Sequence, residues 1–238
     1  LMRQARQMIA EGVLGKIRVV QVEYAQAWLT KAESSKQAAW RTDPARSGAG
    51  GSTGDIGTHA FNLASFVTGL ALDSLSADLQ SFVSGRQLDD NAHVMMRFEG
   101  GARGMLWCSQ VAPGNENGLR LRVYGEAGGL EWAQENPNQL WYTPHGEPKR
   151  LLTRGGVGAT DDAARVTRIP AGHPEGYLEG FATIYREAAD AITAHRAGRD
   201  VPADVLYPTI EDGLKGMQFV DACVRSSKRN GAWVKLAP

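Results

Sequence analysis

The sequence predicts an α+β fold: an open, mainly antiparallel β-sheet of about six strands with helices on one face. Three observations lead there. Between residues 71 and 153, short segments rich in β-branched and aromatic residues are joined by Gly turns, the pattern of antiparallel hairpins rather than crossovers. Two long amphipathic stretches close the chain, and a helix–strand–helix order opens it.

Each element has its own signal. "MRQARQMIAEGVLG" sets Ala5, Met8 and Ile9 on one helical face, with Gly12 placed to stop the helix. "KIRVVQVEYAQAW" reads as a strand. The next stretch, to Gly51, is polar and Gly-rich with Pro44, and reads as a long loop. From Asp55 a helix carries Ile56, Ala60, Leu63, Ala64 and Val67 on its apolar face and ends at Gly69. "LDSLSADLQSFV" pairs with "AHVMMRFEG", which turns through Gly100-Gly101 into "ARGMLWCSQVA". "LRLRVYGEAGGLEW", "QLWYTP" and "KRLLTR" continue the sheet, and residues 155–173 read as a loop.

Of the two closing helices, the first carries the stripe Leu178, Phe181, Ile184, Ala188 and Ile192. Pro174 suits its first turn and Gly198 the position after its last. The second starts at a Thr209–Asp212 capping-box pattern and has Ile210, Leu214, Met217 and Val224 as its buried stripe. "AWVKL" is a short final strand.

Composition narrows the function classes. The 238 residues carry 26 Lys+Arg and 26 Asp+Glu, so no nucleic-acid partner is implied. The "RSSKR" run falls in a last helical turn, where cations oppose the macrodipole. Cys108 and Cys223 lack metal or redox spacing and read as reduced core thiols of a cytoplasmic protein. No apolar run is long enough to span a bilayer, and no leader opens the chain. Leu1 rather than Met begins a helical pattern at once, as in a fragment.

"SGAGGSTGDIGTHAFNLASFVTGL" poses the functional question. Gly48, Gly50 and Gly54 suggest a dinucleotide loop, but no hydrophobic strand feeds them and the third glycine comes one place late. Asp55, His59 and Asn62 instead share a helical stripe, since residues three and four apart are neighbours. Imidazole is the side chain best suited to moving a proton near neutral pH, and a carboxylate one turn away can orient it or hold a hydroxyl. A plainer reading makes Ser52–Asp55 a capping box and His59 an ordinary half-buried histidine.

"GAGGSTGDIGTHAFNLASFVTG" resembles the G-G-x-x-x-D-x-G-x-H segment of the Gfo/Idh/MocA oxidoreductases, the glucose-fructose oxidoreductase and inositol dehydrogenase family. "RQMIAEGVLGKIRVVQVEY", "DDNAHVMMRFEGGARGMLWCSQVAPGNENGLRLRVYGEAGGLEW", "HPEGYLEGFATIYREAADAI" and "GAWVKL" resemble further parts of the same family. The resemblance implies an N-terminal Rossmann domain and an E-K-P segment with a catalytic lysine, neither of which these residues contain. The chain therefore reads as a single C-terminal substrate-binding and oligomerisation domain, residues 1–238.

In such enzymes an alcohol carbon passes hydride to nicotinamide while its hydroxyl proton leaves to a base. The resemblance makes His59 that acid/base, alone or with the lysine, and makes Asp55 a residue that orients His59 or binds a neighbouring hydroxyl. It implies NAD or NADP, bound mainly by the N-terminal domain, and a sugar, inositol or similar polyol as substrate.

Around the pair, Trp40 and Arg41 suit a sugar ring and its hydroxyl or carboxylate groups, or else are a packed Trp and a solvated Arg. Asn62 is a further substrate-binding candidate, against simple helix-surface hydrogen bonding. His173 is another, against an N-cap before Pro174. Asp89-Asp90 reads as a turn before a strand, while His93, His145 and His195 have no supporting pattern.

No metal-ligand spacing is present. Strands with apolar residues on both sides suit a sheet whose second face meets another subunit, a homodimer or homotetramer. The alternative function is a stand-alone, non-catalytic ligand-binding or dimerisation module. A cofactor-independent lyase or hydrolase ranks last, for want of a nucleophile or oxyanion pattern.

Overall fold

The structure, a computed structural model, describes residues 1–236, so the last two positions of the expected domain 1–238 lie outside the described residues. Helix α1 (Met2–Ala10) leads into strand β1 (Ile17–Ala25). Two short helices follow, α2 (Lys36–Arg41) and α3 (Pro44–Ser47), where the sequence suggested an irregular loop. Ser35 caps the first by accepting from Ala38 N–H, and Asp43 caps the second ahead of Pro44. A wide π-type turn (Thr53–Gly57) runs into α4 (Thr58–Thr68), which Gly69 ends in a left-handed conformation.

Strands β2 (Leu72–Gln80), β3 (Asn91–Phe98) and β4 (Arg103–Ser109) follow as one antiparallel run of hairpins, and β5 (Gly118–Gly125), β6 (Gly128–Ala133), β7 (Gln139–Pro144) and β8 (Arg150–Thr153) as a second. Helices α5 (Asp161–Val166), α6 (Tyr177–Arg196) and α7 (Ile210–Ser227) and the two-residue strand β9 (Val234–Lys235) complete the chain. Helix α5 lies where a loop was expected.

The sheet has nine strands rather than about six, in the order β8-β7-β6-β5-β1-β4-β3-β2-β9. The local hairpin pattern shows β2 to β4 and β5 to β8, between which β1 inserts. Strands β1 and β9 join the same sheet through long-range pairing that no local pattern encodes. Strand β1 sits at the centre, antiparallel to β5 and parallel to β4, with Val19 opposite Arg103 and Ala25 opposite Ser109. The carboxyl ends of β1 and β4 therefore emerge together at one edge of the sheet.

Helices α1, α4 and α7 cover one face. Val20, Val22, Val94, Leu106, Leu121 and Val123 meet Ala60, Phe61, Ala64, Val67 and Phe219 there, and Phe61 stacks on Phe219 at 4.5 Å between centroids. Burying each such large side chain contributes roughly 1.5–3 kcal/mol. The other face is open. Met95, Met105, Val19, Trp141 and Leu151 are exposed on it, and Glu23 lies between Arg120 (3.0 Å) and Arg122 (3.5 Å).

The closing helices depart from expectation. On α6, Leu178, Phe181, Ile184 and Ile192 are exposed, and the buried residues are Glu187, Ala191 and Ala194. On α7, Ile210, Leu214 and Met217 are exposed, while Phe219, Val220, Ala222 and Cys223 carry the packing. A stripe reports that a helix is amphipathic, not that its partner lies in the same chain. Helix α6 begins at Tyr177 after the cap position Gly176, so Pro174 precedes its first turn, whereas Gly198 follows its end at φ +65° as expected. Asp212 accepts from the Thr209 N–H at 2.8 Å, closing the expected cap of α7. Among the described residues no helix is long and apolar enough to cross a membrane.

Candidate active site

The candidate residues gather at the edge where β1 and β4 end and β3 and β5 begin. Asp55 lies in the π-type turn with a partly buried side chain. Its Oδ2 accepts from Arg41 Nε at 2.8 Å and from Gln110 Nε2 at 2.7 Å, and among the described residues Oδ1 takes no hydrogen bond. One oxygen is thus held by a charged and a neutral donor, leaving the other to accept from a ligand.

Asp55 is neither a helix cap nor bonded to His59. Ser52 does not cap the helix either: it is fully buried, and its hydroxyl donates to Asp89 at 2.8 Å. His59 stands exposed near the start of α4, with the Tyr24 ring edge-on to it at 6.2 Å.

Arg41 ends α2. Its guanidinium covers the Trp40 ring at 4.2 Å and lies 5.8 Å from the ring of Trp28, while Nη1 donates to Gln37 Oε1 at 2.6 Å. The structure therefore joins Arg41 and Asp55, and Trp40 reaches the site through Arg41. Asn62 is exposed one turn beyond His59, on the wall of a 1040 Å³ cleft between α4, α7 and residues 201–208. His173 belongs to another corner: it is exposed, it does not cap α6, and its carbonyl accepts from Arg154 Nη2 at 2.6 Å.

Sequence reasoning missed a second wall. Tyr24 Oη donates to Asn117 Oδ1 at 2.7 Å, Gln26 Nε2 donates to the same oxygen at 2.9 Å, and Trp28 Nε1 donates to Gln26 Oε1 at 3.0 Å. The signal available was polar and aromatic residues at strand ends, "YAQAW" across the end of β1 and Gln110 after β4, because crevices beyond strand carboxyl ends favour ligands.

Asp89 and Asp90 precede β3 as expected, but they are buried anchors rather than a plain turn. Asp90 accepts from the Phe82 and Val83 N–H groups, each at 3.0 Å, and pairs with Arg86 at 3.2 Å. Arg86 also donates to the carbonyl of Leu29, next to Trp28. Cys108 and Cys223 are buried free thiols. Burial, with Asp89 nearby, pushes Cys108 up to about 12, and burial also raises Cys223, so neither is a thiolate nucleophile.

The glycine loop does not suit a dinucleotide's phosphates. Asp89 takes the Gly51 and Thr53 N–H groups that would face them. The site thus brings together an exposed imidazole, a carboxylate with one oxygen free of hydrogen bonds among the described residues, and a guanidinium paired with that carboxylate.

A family model described as the GFO/IDH/MocA C-terminal domain matches residues 2–131. The chain is 36% identical over 242 residues to the uncharacterized oxidoreductase YfiI of Bacillus subtilis (strain 168), covering 99% of this chain and 62% of that protein. An oxidoreductase from Sinorhizobium meliloti, solved by crystallography, shares 63% identity with a TM-score of 0.88, over 98% of this chain and 61% of that one. An inositol dehydrogenase homolog from Azotobacter vinelandii, solved with NADH and myo-inositol, shares 37% identity with a TM-score of 0.91 over the same shares. This chain thus spans about three fifths of the length of these relatives.

Proposed function

The chain belongs to the GFO/IDH/MocA family, and from that premise we propose that it is the substrate-handling part of an NAD(P)-dependent oxidoreductase. The substrate in this reading is a neutral sugar, inositol or similar polyol, interconverted between alcohol and carbonyl. The observation that carries it is the state of the pair: Asp55 held through Oδ2 alone, and His59 exposed beside Tyr24. The Azotobacter homolog's complex with NADH and myo-inositol supports both the cofactor and the substrate class.

In this reading the dinucleotide's phosphates are held mainly by a domain of the Rossmann type, since the N–H groups of residues 51–53 are taken by Asp89. A bound nicotinamide would supply the hydride acceptor. His59 takes the proton of the reacting hydroxyl, alone or with the lysine of the E-K-P segment, Asp55 Oδ1 accepts from a neighbouring hydroxyl, and Arg41 holds Asp55 in place through Oδ2. Trp28, 39% exposed, offers the aromatic wall, because Arg41 already covers Trp40.

The test is steady-state kinetics of His59→Ala in the full natural polypeptide, with myo-inositol and other polyols and either NAD+ or NADP+. We expect kcat to fall by about 10²–10⁴-fold with KM changed little. Unchanged turnover would overturn the assignment. A non-catalytic binding module would instead keep its ligand affinity in Asp55→Asn and His59→Asn while no variant, nor wild type, turned over.

We also propose that the open sheet face meets a second copy, giving a homodimer or homotetramer. Exposed Met95, Met105, Val19 and Trp141 around a Glu23–Arg120–Arg122 cluster offer both apolar area and both charge signs to an identical face. A monomer by sedimentation would count against it.

A further inference from the structure

We propose that Asp89, which touches neither Asp55 nor His59, is the positioning residue that holds the turn carrying them. The inference rests on the reading of that pair as acid/base machinery. Asp89 is buried and spends its whole carboxylate on one short stretch of chain. Oδ1 accepts from Gly51 N at 2.7 Å, and Oδ2 accepts from Ser52 Oγ, Thr53 N and Thr53 Oγ1, each at 2.8 Å. Its backbone carbonyl accepts from Ser52 N, also at 2.8 Å. The approach is so close that a Cβ on Gly51 would lie 2.0 Å from that carbonyl oxygen.

The grip ends at Thr53, where the π-type turn begins. Turns of this kind are rare, and here Asp89 fixes the residue at which the turn starts. Were Thr53 released and the turn to relax to α geometry, each residue gained or lost would rotate the downstream helix by about 100°. Asp55 would then leave Arg41 and Gln110. The second partner of Asp55 is set from the same place, because Gln110 N donates to Asp90 O at 2.8 Å. The start of β3 therefore registers both the acid and one of the groups that hold it.

Asp89→Asn is the informative change, since it keeps the shape but turns an amide donor toward donors. Three readouts are compared with wild type: hydrogen exchange of the Gly51 and Thr53 amides, the NMR titration of His59, and initial rates of NAD+ reduction with myo-inositol in the full natural polypeptide. We expect exchange at those amides to rise at least tenfold and the His59 titration to shift or split. We expect kcat to fall about 100-fold, the cost of misplacing a reacting group by about 1 Å, with KM within about threefold.

Wild-type exchange and a wild-type His59 titration in the variant would overturn the proposal, and so would kcat and KM changing together in proportion to lost folded protein. If Asp89→Asn does not fold, Thr53→Val and Ser52→Ala each remove a single donor to Oδ2. Graded loss of kcat in them supports the anchor, and wild-type kcat in both overturns it. If wild type turns over no polyol, the functional reading fails, and the exchange and titration readouts still decide the anchor.

Discussion

Arg41 shows how much one side chain does here. Its planar guanidinium lies on Trp40, faces Trp28 and donates through Nε to Asp55. A lysine keeps the charge but has no planar face to stack and no Nε in that position. Arg41→Lys should therefore cost about 1.5–3 kcal/mol, the worth of a charge-assisted hydrogen bond, or about 10–100-fold in kcat/KM. Steady-state kinetics checks it, and a lysine variant equal to wild type would show that the fork is unused. Arg41, Asp55 and His59 could be singled out as candidates from the sequence because they fall within or beside one unusual glycine-rich segment. Gln110 and Asp89 were not, because what marks them is a contact with residues 55 and 51–53 that only the folded sheet creates.

At the scale of elements, the glycines of the loop divide by what surrounds them. Gly51 is pressed against the Asp89 carbonyl, whereas nothing lies within 4 Å of a Cβ built on Gly54. Gly51→Ala must push two backbone segments apart and should cost at least about 3 kcal/mol, while Gly54→Ala should stay within about 0.5 kcal/mol. Urea denaturation of the two variants measures the contrast, and equal stabilities would mean the loop is looser than its contacts imply. The same scale explains what the sequence could say of the sheet. The hairpins of β2 to β4 and of β5 to β8 announce themselves by alternation and Gly turns. The parallel contact of β1 with β4 joins Val19 to Arg103, with only sheet geometry to specify it, and that contact brings Trp28 and Gln110 to one edge. The π-type turn has no sequence signature at all, so the helix was read as beginning at Asp55 in ordinary α form.

For the whole molecule, helix α6 is attached the opposite way round from its pattern. Its apolar stripe faces out, and it is held to the body by Glu187, 1% exposed. That carboxylate takes hydrogen bonds from Arg165 and from the Leu206 N–H and lies 3.4 Å from Arg3 Nη2, tying α6 to α1, α5 and the segment before α7. Burial alone would raise its pKa, but the bonds from Arg165 and Leu206 and the charge of Arg3 outweigh this and hold it below the usual glutamate value. A carboxylate whose pKa is depressed on folding contributes stability above its unfolded value of about 4.3 and loses it as pH falls through the lower folded value. Thermal unfolding followed from pH 7 downward should therefore show a loss of stability that begins near pH 4 and steepens below it. Glu187→Gln should cost about 1.5–3 kcal/mol at pH 7, since it leaves Arg3 facing a neutral amide while Arg165 keeps Asp204 at 2.8 Å. It should also flatten the acid limb, because the group that titrates there has gone. A variant with an unaltered acid limb would assign that lability to other carboxylates.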